Sequence, residues 1–439
     1  MKTKHIFKLT IILSFVLLCS CKQKHNNDIY AGPPSATEFY YTFYDGMRLF
    51  NGEYKAFTSY ITDTIGDTIY QDFYTIGDYY RNNKDEYCIG EHVIRKRPVI
   101  GTDAPMWLDT ISIKYYIKVN SSIKELEFPQ LLQGAAIVPD GKDMYYIFVK
   151  TSPEYLSFKY YKESYYVSKN CGELSFLTSI TDMSFACLKI KKVGDNFYFL
   201  GQNDEECPAC HVAGEQTYAF SQMPYSGEIF DVLNIDGKEY LYGCKSGYRN
   251  DQSTDFIRQP VVWINGVIDT ISMPNNAKSG CINCAVKRGD DIYLGGNIDG
   301  IPAIWKNNEV IGTFNYFPQH GLKWRVKFCG ETDVYLTSST ITEMAITNDK
   351  IYSCAMAYTT CQYFAYPYEI TWDITLNPAK YKYNYDFVEL VNDGTIETDE
   401  NFYDYATMDG AVLWGTFLRD NRAPWKTHRS RARVNLVYE

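Results

Sequence analysis

Two cysteines and a histidine near the middle of the chain have the most specific chemical spacing in the sequence. Cys207, Cys210 and His211 follow the pattern Cys-x-x-Cys-His, in which two thiols bind the vinyl groups of a c-type haem and the imidazole binds its iron. The surrounding sequence lacks the apolar periodicity of the helices that enclose such haems. We therefore expect disulfide or loop cysteines here. A zinc or other metal clip and a haem-carrying redox function are the two alternatives.

A second Cys-x-x-Cys pair, Cys281 and Cys284, follows later in the chain. Together the two pairs supply four thiols, the number that a four-thiolate zinc site needs. In such sites, however, the two Cys-x-x-Cys pairs are normally much closer in sequence. Both pairs are therefore candidates for disulfides or for metal binding. Sequence alone leaves the connectivity of the thirteen cysteines open.

The tripeptide Asp-Thr-Ile occurs four times and offers a different kind of chemistry. Its threonines are Thr64, Thr68, Thr110 and Thr270. The tripeptide is similar to the short Asp-Thr-aliphatic acceptor for O-glycosylation in exported proteins of some Gram-negative bacteria. These hydroxyls are therefore candidate glycosylation sites, and the alternative is that Asp-Thr simply begins a strand.

The sequence contains no recognisable catalytic motif. Its six histidines are dispersed, and it has no Gly-x-Ser-x-Gly nucleophile elbow, glycine-rich phosphate loop or EF-hand pattern. Carboxylate pairs for glycoside cleavage are recognised by their separation in space, which a sequence does not give. We expect no catalytic residues and no cofactor.

The amino terminus reads as a signal for export and lipidation. Three lysines precede a short apolar run, which ends in Leu18-Cys19-Ser20-Cys21. The run is shorter than the roughly 20 residues that span a bilayer, so we expect cleavage of a signal peptide over residues 1–20. The ending resembles a bacterial lipobox, which implies acylation of Cys21. Residues 21–37 are then a polar, lipidated tether, and an ordinary secretory signal is the alternative.

Length and composition restrict the class of protein. The 439 residues are 45% hydrophobic and 16% aromatic, which is enough for a large core and favours strands over helices. This composition excludes a disordered, collagen-like or coiled-coil chain. The net charge is −10, and loss of the three leader lysines takes it to −13. Such a charge disfavours a nucleic-acid or anionic-lipid surface.

A repeat of strand patterns follows the tether. Each unit has a strand containing Tyr, a loop, and a strand that ends at Trp and an Asn-rich turn, as in the unit of Tyr293 and Trp305. The repeat slots are Tyr87, Trp107, Tyr240, Trp263, Tyr293, Trp305, Trp372 and Trp425. The units recur about every 54 residues, and short strands at such a period are typical of propeller blades.

The repeat predicts an all-β fold over residues 38–439. The expected architecture is a β-propeller of about six to eight four-stranded blades, with seven favoured. The segment Arg433–Tyr438 is expected to close the ring by joining a blade that begins near residue 40. The Tyr and Trp slots are expected to be structural, with their rings packed between blades.

These units resemble the tandem repeats of a family of bacterial surface lipoproteins that are themselves predicted propellers. The family pattern reads Asp-x-Tyr-x-x-Gly, a loop, and then Ala-x-x-Trp-Lys-Asn-Gly. Residues 289–296 and 302–308 carry the likeness most clearly. It covers most of residues 85–430, while residues 38–84 and 143–225 depart from it. The family has no common catalytic residues, so the resemblance implies a fold and a location but no chemistry.

Together these patterns predict an exported lipoprotein that is anchored to the outer membrane by its acyl chains. Its body is predicted to be a non-catalytic propeller that binds a glycan or a protein, with no nucleic-acid partner. An extracellular propeller-fold glycosidase or lyase is the first alternative, and a redox or haem-carrying lipoprotein is the second. A cluster of carboxylates at the ring centre, one with a perturbed pKa, would favour the enzyme.

Overall fold

The computed structural model covers the predicted propeller domain in segments. The described residues are 38–44, 48–50, 54–56, 61–65, 68–74, 77–81, 85–98, 109–126, 133–151, 163–180, 185–203, 207–214, 218–219, 226–248, 256–314, 324–326, 332–334, 336–347, 349–359, 365–384 and 431–437. The predicted signal peptide and tether, with Cys21, lie outside them, as do Trp107 and Trp425. Every regular element in these segments is a β-strand. They contain no helix with the length and apolar character needed to cross a membrane.

The strands are numbered β1 to β32 in chain order. The first eleven are β1 (Glu38–Tyr44), β2 (Arg48–Phe50), β3 (Tyr54–Ala56), β4 (Ile61–Ile65), β5 (Thr68–Tyr74), β6 (Asp78–Arg81), β7 (Glu86–Pro98), β8 (Asp109–Val119), β9 (Ser122–Leu126), β10 (Gln133–Asp140) and β11 (Asp143–Thr151). The next ten are β12 (Glu163–Lys169), β13 (Leu174–Ile180), β14 (Ala186–Val193), β15 (Asn196–Gln202), β16 (Pro208–Val212), β17 (Tyr218–Ala219), β18 (Ser226–Ile235), β19 (Lys238–Tyr248), β20 (Phe256–Ile264) and β21 (Val267–Thr270). The last eleven are β22 (Gly280–Arg288), β23 (Asp291–Ile298), β24 (Ile301–Lys306), β25 (Glu309–Thr313), β26 (Trp324–Val326), β27 (Thr332–Val334), β28 (Leu336–Ile346), β29 (Lys350–Thr359), β30 (Ala365–Asp373), β31 (Lys380–Asn384) and β32 (Arg431–Val437).

Within the described segments these strands form antiparallel sheets, most of them from strands that follow one another in the chain. We number the sheets 1 to 7. Sheets 3 to 7 each contain four successive strands: β10–β13, β14–β17, β18–β21, β22–β25 and β28–β31. Sheet 1 has the order β3-β2-β1-β32. Sheet 2 has six strands, because β6 to β9 form a four-stranded unit and the hairpin β4–β5 adds to the free half of β7. The short hairpin β26–β27 lies between sheets 6 and 7 in the chain.

The innermost strands of successive sheets pack against one another and close a ring. In order around the ring, β6 packs against β10, then β14, β18, β22, β28 and β32 follow, and β32 contacts β6 again. A ring of radially arranged antiparallel sheets is a β-propeller. The predicted all-β propeller is therefore confirmed. Residues 385–430 are not among the described ones, so the blade number of the whole chain stays a prediction.

The two ends of the domain meet in sheet 1. Strand β32 pairs antiparallel with β1, and Val434 lies opposite Tyr41. The predicted closure of the ring by the carboxyl-terminal segment is confirmed. A row of backbone hydrogen bonds thus connects the first and last strands of the domain.

The core consists of layers between neighbouring sheets. The layer between sheets 4 and 5 contains Tyr198, Leu200, Cys210, Val261 and Trp263, among others. The layer between sheets 5 and 6 contains Tyr242, Val262, Ile282, Leu294 and Trp305, among others. Sheet 5 therefore buries apolar side chains on both faces, which is why its strands carry near-continuous apolar runs.

Tight two-residue turns connect the third and fourth strands of sheets 5 and 6. Asn265 and Gly266 have φ angles of 49° and 80°, and Asn307 and Asn308 have φ angles of 48° and 68°. Two-residue turns of this kind match the right-handed twist of the flanking strands, and Asn and Gly tolerate positive φ best. The Asn residues at the end of these repeats are therefore explained by the positive φ angles that the turns require.

Candidate functional site

The Cys-x-x-Cys-His motif lies at the start of strand β16, the third strand of sheet 4, with Cys210 and His211 on the strand itself. Cys210 is buried in the layer that faces sheet 5, together with Leu200 and Trp263. His211 is buried on the side of sheet 3, where its Nε2 lies 3.3 Å from the Oγ1 of Thr178. Successive side chains of a strand point to opposite faces. The second thiol and the imidazole therefore cannot reach one haem, and the motif does not fit a c-type haem site.

The two cysteines of this motif are also held apart. Cys207 lies just before β16, and its backbone N–H donates a hydrogen bond to the Oδ1 of Asn203 at 2.8 Å. Cys210 follows three positions later along extended chain, which places the two Cα atoms about 10 Å apart. A disulfide requires Cα atoms within roughly 7 Å. These two sulfur atoms cannot bond to each other without movement of the strand.

The second Cys-x-x-Cys pair is divided between two environments. Cys281 and Cys284 both lie on β22, with a β-bulge between them. The side chain of Cys281 contacts Cys244 of sheet 5, whereas Cys284 lies among charged residues at the ring centre. Nowhere in the described part of the chain are three or more His, Cys, Asp or Glu side chains placed to hold a metal ion. The two pairs do not come together as a four-thiolate site.

A β-bulge recurs in the innermost strand of five sheets. The register shifts lie between Gly134 and Ala136, Cys187 and Lys189, Ile229 and Asp231, Ile282 and Cys284, and Ile341 and Glu343. A bulge redirects the side chains beside it. The residues that follow four of the bulges come within electrostatic range of one another. With Lys191 they form what we call the central cluster: Lys189, Lys191, Asp231, Cys284 and Glu343.

Asp231 is the hub of the central cluster. Its Oδ2 lies 3.1 Å from Lys189 Nζ and accepts the backbone N–H of Ala285 at 2.9 Å. Its Oδ1 lies 2.6 Å from Lys191 Nζ and accepts the backbone N–H of Val232 at 2.7 Å. The carboxylate is only 3% exposed, whereas the two lysine side chains are 29% and 28% exposed. A buried carboxylate with two hydrogen bonds on each oxygen is fully satisfied.

The protonation states of the cluster follow from these contacts. Burial alone would raise the pKa of Asp231, but Lys189, Lys191 and the backbone donors outweigh it and hold that pKa below its usual value. Burial opposes the charge of Lys189, yet Asp231 and Glu343 raise the pKa of its ammonium group. Burial raises the pKa of the Cys284 thiol. None of these three groups exchanges a proton near neutral pH.

Asp78 of sheet 2 repeats the geometry of Asp231. Its Oδ1 accepts the backbone N–H of Tyr79 at 2.8 Å, and its Oδ2 accepts that of Ile137 in the next sheet at 2.6 Å. In both cases a buried carboxylate connects one innermost strand to the next. Sequence analysis identified neither aspartate. The available signal was an acidic residue inside an apolar strand, as in Ile229-Phe230-Asp231-Val232.

The lysines and Glu343 of the central cluster were likewise not identified from sequence. They lie on β14 and β28, well separated along the chain. No local motif contains them, because the ring brings their strands together only through the sheets between them. Cys284 was a candidate because of its Cys-x-x-Cys spacing from Cys281. In the structure its neighbours are instead Lys189, Asp231 and Glu343.

The candidate glycosylation threonines all lie on strands. Thr64, Thr68 and Thr110 belong to β4, β5 and β8, but their side chains are not among those described. Thr270 is exposed at the end of β21, and its backbone N–H donates to the Oδ1 of Asp269 at 2.8 Å. Thr270 is therefore accessible to a modifying enzyme, and modification of all four threonines stays a prediction.

Three tryptophans of the repeat slots are completely buried: Trp263, Trp305 and Trp372. The indole N–H of Trp305 donates to the backbone carbonyl of Ser272 at 2.8 Å. That of Trp372 donates to the hydroxyl of Ser353 at 3.0 Å. With their rings completely buried, these three side chains have no surface to offer a ligand.

The tyrosine slots are less uniform. Tyr293 is buried, while Tyr87 and Tyr240 are half-buried. Lys306 places its ammonium group 5.6 Å from the centre of the Tyr293 ring, in cation–π range. The roles of Trp107 and Trp425 stay predictions, since both residues lie outside the described segments.

No protein-family model matches the chain, and no curated protein does. Among solved structures, the chain is similar to the β-propeller domain of the Trilobed protease from Pyrococcus furiosus, at 11% identity over 71% of this chain and 93% of that chain, with a TM-score of 0.35. It is similar to an acylaminoacyl peptidase from Pyrococcus horikoshii, at 12% identity over 76% of this chain and 54% of that one, with a TM-score of 0.34. A mannose phosphorylase from Leishmania mexicana matches at 10% identity over 51% of this chain and 80% of that one, with a TM-score of 0.25. Similarities this distant say nothing about activity. The assignment of the fold is based on the sheets described above.

Proposed function

We propose that the protein is an exported lipoprotein whose propeller binds a glycan or a protein ligand without changing it chemically. The observation that carries the non-catalytic part is the state of the central cluster. Asp231 is held ionised by Lys189 and Lys191, and Cys284 is held protonated by burial. These groups are arranged to join innermost strands.

Catalysis at the ring centre would need a group that exchanges protons near neutral pH, or an activated nucleophile. The pKa of Asp231 is lowered rather than raised, and both of its oxygens are occupied by hydrogen bonds. The thiol of Cys284 has a raised pKa, and a protonated thiol is a poor nucleophile. This supports a structural role for the cluster, and it leaves ligand binding to the outer surface of the ring.

The glycosidase or lyase alternative would require a carboxyl group with a raised pKa in the central cluster. Glycoside hydrolysis commonly uses two carboxyl groups, one of which has a raised pKa and donates a proton. Asp231 has the opposite shift, because two ammonium groups face it. The central cluster therefore supports the binding proposal more strongly than the enzyme.

The anchoring part of the proposal rests on the amino-terminal sequence. The lysines, the short apolar run and the Leu18–Cys21 ending direct acylation to Cys21. Strand β1 begins at Glu38, so residues 21–37 lie between the acylated cysteine and the propeller. A polar segment of this length would act as a tether between the membrane and the ring.

Fatty-acid labelling in a Gram-negative host tests the anchor. Cells that produce the full chain receive an alkyne-bearing fatty acid, and the labelled protein is visualised after click coupling. We expect label on the wild type and on a matched Cys19→Ser variant, and none on Cys21→Ser. Label that persists in Cys21→Ser would overturn lipidation at this position.

A joint assay of binding and turnover tests the non-catalytic role. Detergent-solubilised full-length protein is run through gels that contain single polysaccharides, and the same polysaccharides are assayed for new reducing ends and unsaturated sugars. We expect no product from any of them, whether or not a polysaccharide retards the protein. Product formation that disappears in Asp231→Asn would overturn the proposal in favour of the enzyme. Retardation without product would identify a glycan as the ligand class.

A further inference from the structure

Two buried thiols from neighbouring sheets meet in the interior of the propeller. Cys244 lies on β19, the second strand of sheet 5, and Cys281 lies on β22, the innermost strand of sheet 6. The thiol of Cys281 interacts with that of Cys244 as a side-chain hydrogen-bond partner, and both residues are buried. The two sulfur atoms are therefore neighbours, although 37 positions separate the residues in the sequence.

The backbone segments around the pair are also close. Cys244 lies opposite Pro260 in the register of β19 and β20. Gly280 packs against the same proline from the other sheet, since a Cβ atom at Gly280 would lie 3.3 Å from the Cδ of Pro260. This shared contact holds the segments of Cys244 and Cys281 side by side. A disulfide requires such neighbouring backbone segments in addition to adjacent sulfur atoms.

The surroundings of the pair favour a sulfur–sulfur bond over a metal site. The Sγ of Cys244 lies 4.0 Å from the Oγ of Ser246, and the Sγ of Cys281 lies 3.5 Å from the Oδ1 of Asn283. A serine hydroxyl and an asparagine amide are poor ligands for the soft metals that bind thiolates. The nearby carboxylate of Glu228 pairs with Arg258. Among the described residues, no third His, Cys, Asp or Glu is placed with the pair to complete a zinc site.

We propose that Cys244 and Cys281 form a disulfide that joins sheets 5 and 6. The bond arises by exchange with an oxidised thiol–disulfide oxidoreductase of the export compartment. One cysteine attacks the disulfide of this donor to give a mixed disulfide, and the other cysteine then displaces the donor. The donor leaves with two thiols, having accepted the two electrons and the two protons of the cysteine pair. The inference rests on the proposed export only for the source of this oxidant.

Burial determines when the bond forms. The attacking species in exchange is a thiolate, and burial raises the pKa of the Cys281 thiol in the folded protein. Exchange therefore takes place before sheets 5 and 6 have docked, and the finished bond is afterwards shielded from reductants. Because it closes a loop and restricts the unfolded chain, its reduction should lower the melting temperature.

Mass spectrometry of the exported wild-type protein tests the proposal. Cells that produce the full chain with its own leader are lysed in denaturant with iodoacetamide and no reductant. Trypsin then releases Cys244 in residues 239–245 and Cys281 in residues 279–287. We expect these peptides to be linked and to separate after reduction. A link from either cysteine to another cysteine would overturn the pairing. Alkylation of both cysteines before reduction would overturn the pairing if the link is also absent after refolding in vitro, and would contradict the export if the link forms on refolding.

A matched pair of variants assigns the link, because residues 279–287 also contain Cys284. The link should persist in Cys284→Ala and be lost in Cys281→Ala, where Cys244 becomes open to alkylation. Loss of the link in Cys284→Ala would assign the bond to Cys284 and overturn the pairing.

Refolding in vitro separates this inference from the proposed export. Reduced, denatured full-length protein is refolded in a buffer of oxidised and reduced glutathione and analysed in the same way. A link that forms on refolding but is absent from the host-produced protein would leave the pairing intact and contradict export to an oxidising compartment. No link on refolding would overturn the pairing whatever the location of the protein.

Discussion

Asn307 donates a hydrogen bond from its Nδ2 to the Oδ1 of Asp291 at 2.8 Å. The Oδ1 of the same asparagine accepts the backbone N–H of Ile292 at 2.9 Å, and its own N–H donates to the Ile292 carbonyl at 2.8 Å. The turn between β24 and β25 is thereby attached to the start of β23. These bonds explain why the repeat has an Asp before its Tyr strand and an Asn after its Trp strand.

The same attachment recurs in two other sheets. Asn120 donates to Asp85 and Asn170 donates to Asp143, both at 2.8 Å. The two asparagines also have positive φ angles, 54° and 50°. Each therefore serves both as a turn residue and as a side-chain bridge, and Gly could replace it only in the first role.

We expect Asn307→Gly to destabilise the protein while leaving the turn intact. Glycine accepts the positive φ angle but removes both side-chain hydrogen bonds, so the melting temperature should fall by roughly 1–3 °C. Asn308→Gly is the matched control, because it changes the adjacent turn position and should have a smaller effect. Differential scanning calorimetry of both variants makes the comparison. Equal melting temperatures for Asn307→Gly and the wild type would show that the side-chain bridge does not contribute.

We expect Asp231→Asn to cost about 2–3 kcal/mol of unfolding free energy at pH 7. The substitution removes the carboxylate that both Lys189 and Lys191 contact. Glu343 remains near Lys189, and the partial exposure of the two lysines reduces the penalty below that of a fully buried pair. The pKa of Asp231 is lowered in the folded protein. Its contribution is therefore present above the unfolded pKa, near 3.9, and is lost as the pH falls through the lower folded value.

Urea denaturation of the wild type and of Asp231→Asn over the acid range measures this contribution. The difference in unfolding free energy should narrow as the pH falls below about 4. Asp140→Asn is the control, because the Asp140 side chain is 48% exposed and solvent weakens its pairing with Lys192, so it should contribute little. A difference that stays constant down to pH 2 would contradict the assigned pKa shift.

We expect Trp263→Ala and Trp305→Ala to destabilise the propeller by similar amounts. Both rings are completely buried in layers between sheets, and truncation of a buried tryptophan costs roughly 3–5 kcal/mol. Phe176, which is largely exposed on β13, gives the control, and its Ala variant should melt close to the wild type. Thermal melts of the three variants make the test. A wild-type melting temperature for either tryptophan variant would instead point to a ligand platform.

We expect a glycan on Thr270 when the protein is exported by a Gram-negative host that O-glycosylates Asp-Thr sequences. Thr270 is exposed at the end of an outer strand, and Asp269 precedes it. Intact-mass analysis should show a loss of glycan mass in Thr270→Ala. Ser175→Ala, an exposed site without a preceding Asp, should show none. An unmodified Thr270 peptide from such a host would refute the assignment.

We expect no covalent haem on the protein even when the host supplies haem-attachment machinery. Cys210 and His211 face different neighbouring sheets, so one porphyrin cannot bond to both. The purified protein should show no Soret absorption, before or after dithionite reduction. A Soret band that is lost in Cys210→Ala would contradict the placement of the motif.

Local sequence was sufficient to predict the elements of this fold. The Tyr and Trp slots, the Asn-rich turns and the period of the repeat predicted an all-β ring closed by its carboxyl-terminal strand. Strand and turn preferences act between residues a few positions apart, and each repeat contains all of them. Even the attachment of Asn307 to Asp291 spans a single repeat unit, so its residues stand out as part of the pattern.

Only the tertiary structure decided which distant side chains meet. The Cys-x-x-Cys spacing suggested that Cys281 belongs with Cys284, but the bulge in β22 separates their surroundings and places Cys281 against Cys244. The contact of Asp231 with Lys189 likewise depends on the packing of sheet 4 against sheet 5. A strand alternates its side chains between two faces, and the partner on each face belongs to another sheet. The chemistry between sheets is therefore set by how the ring closes, which no local pattern in the sequence records.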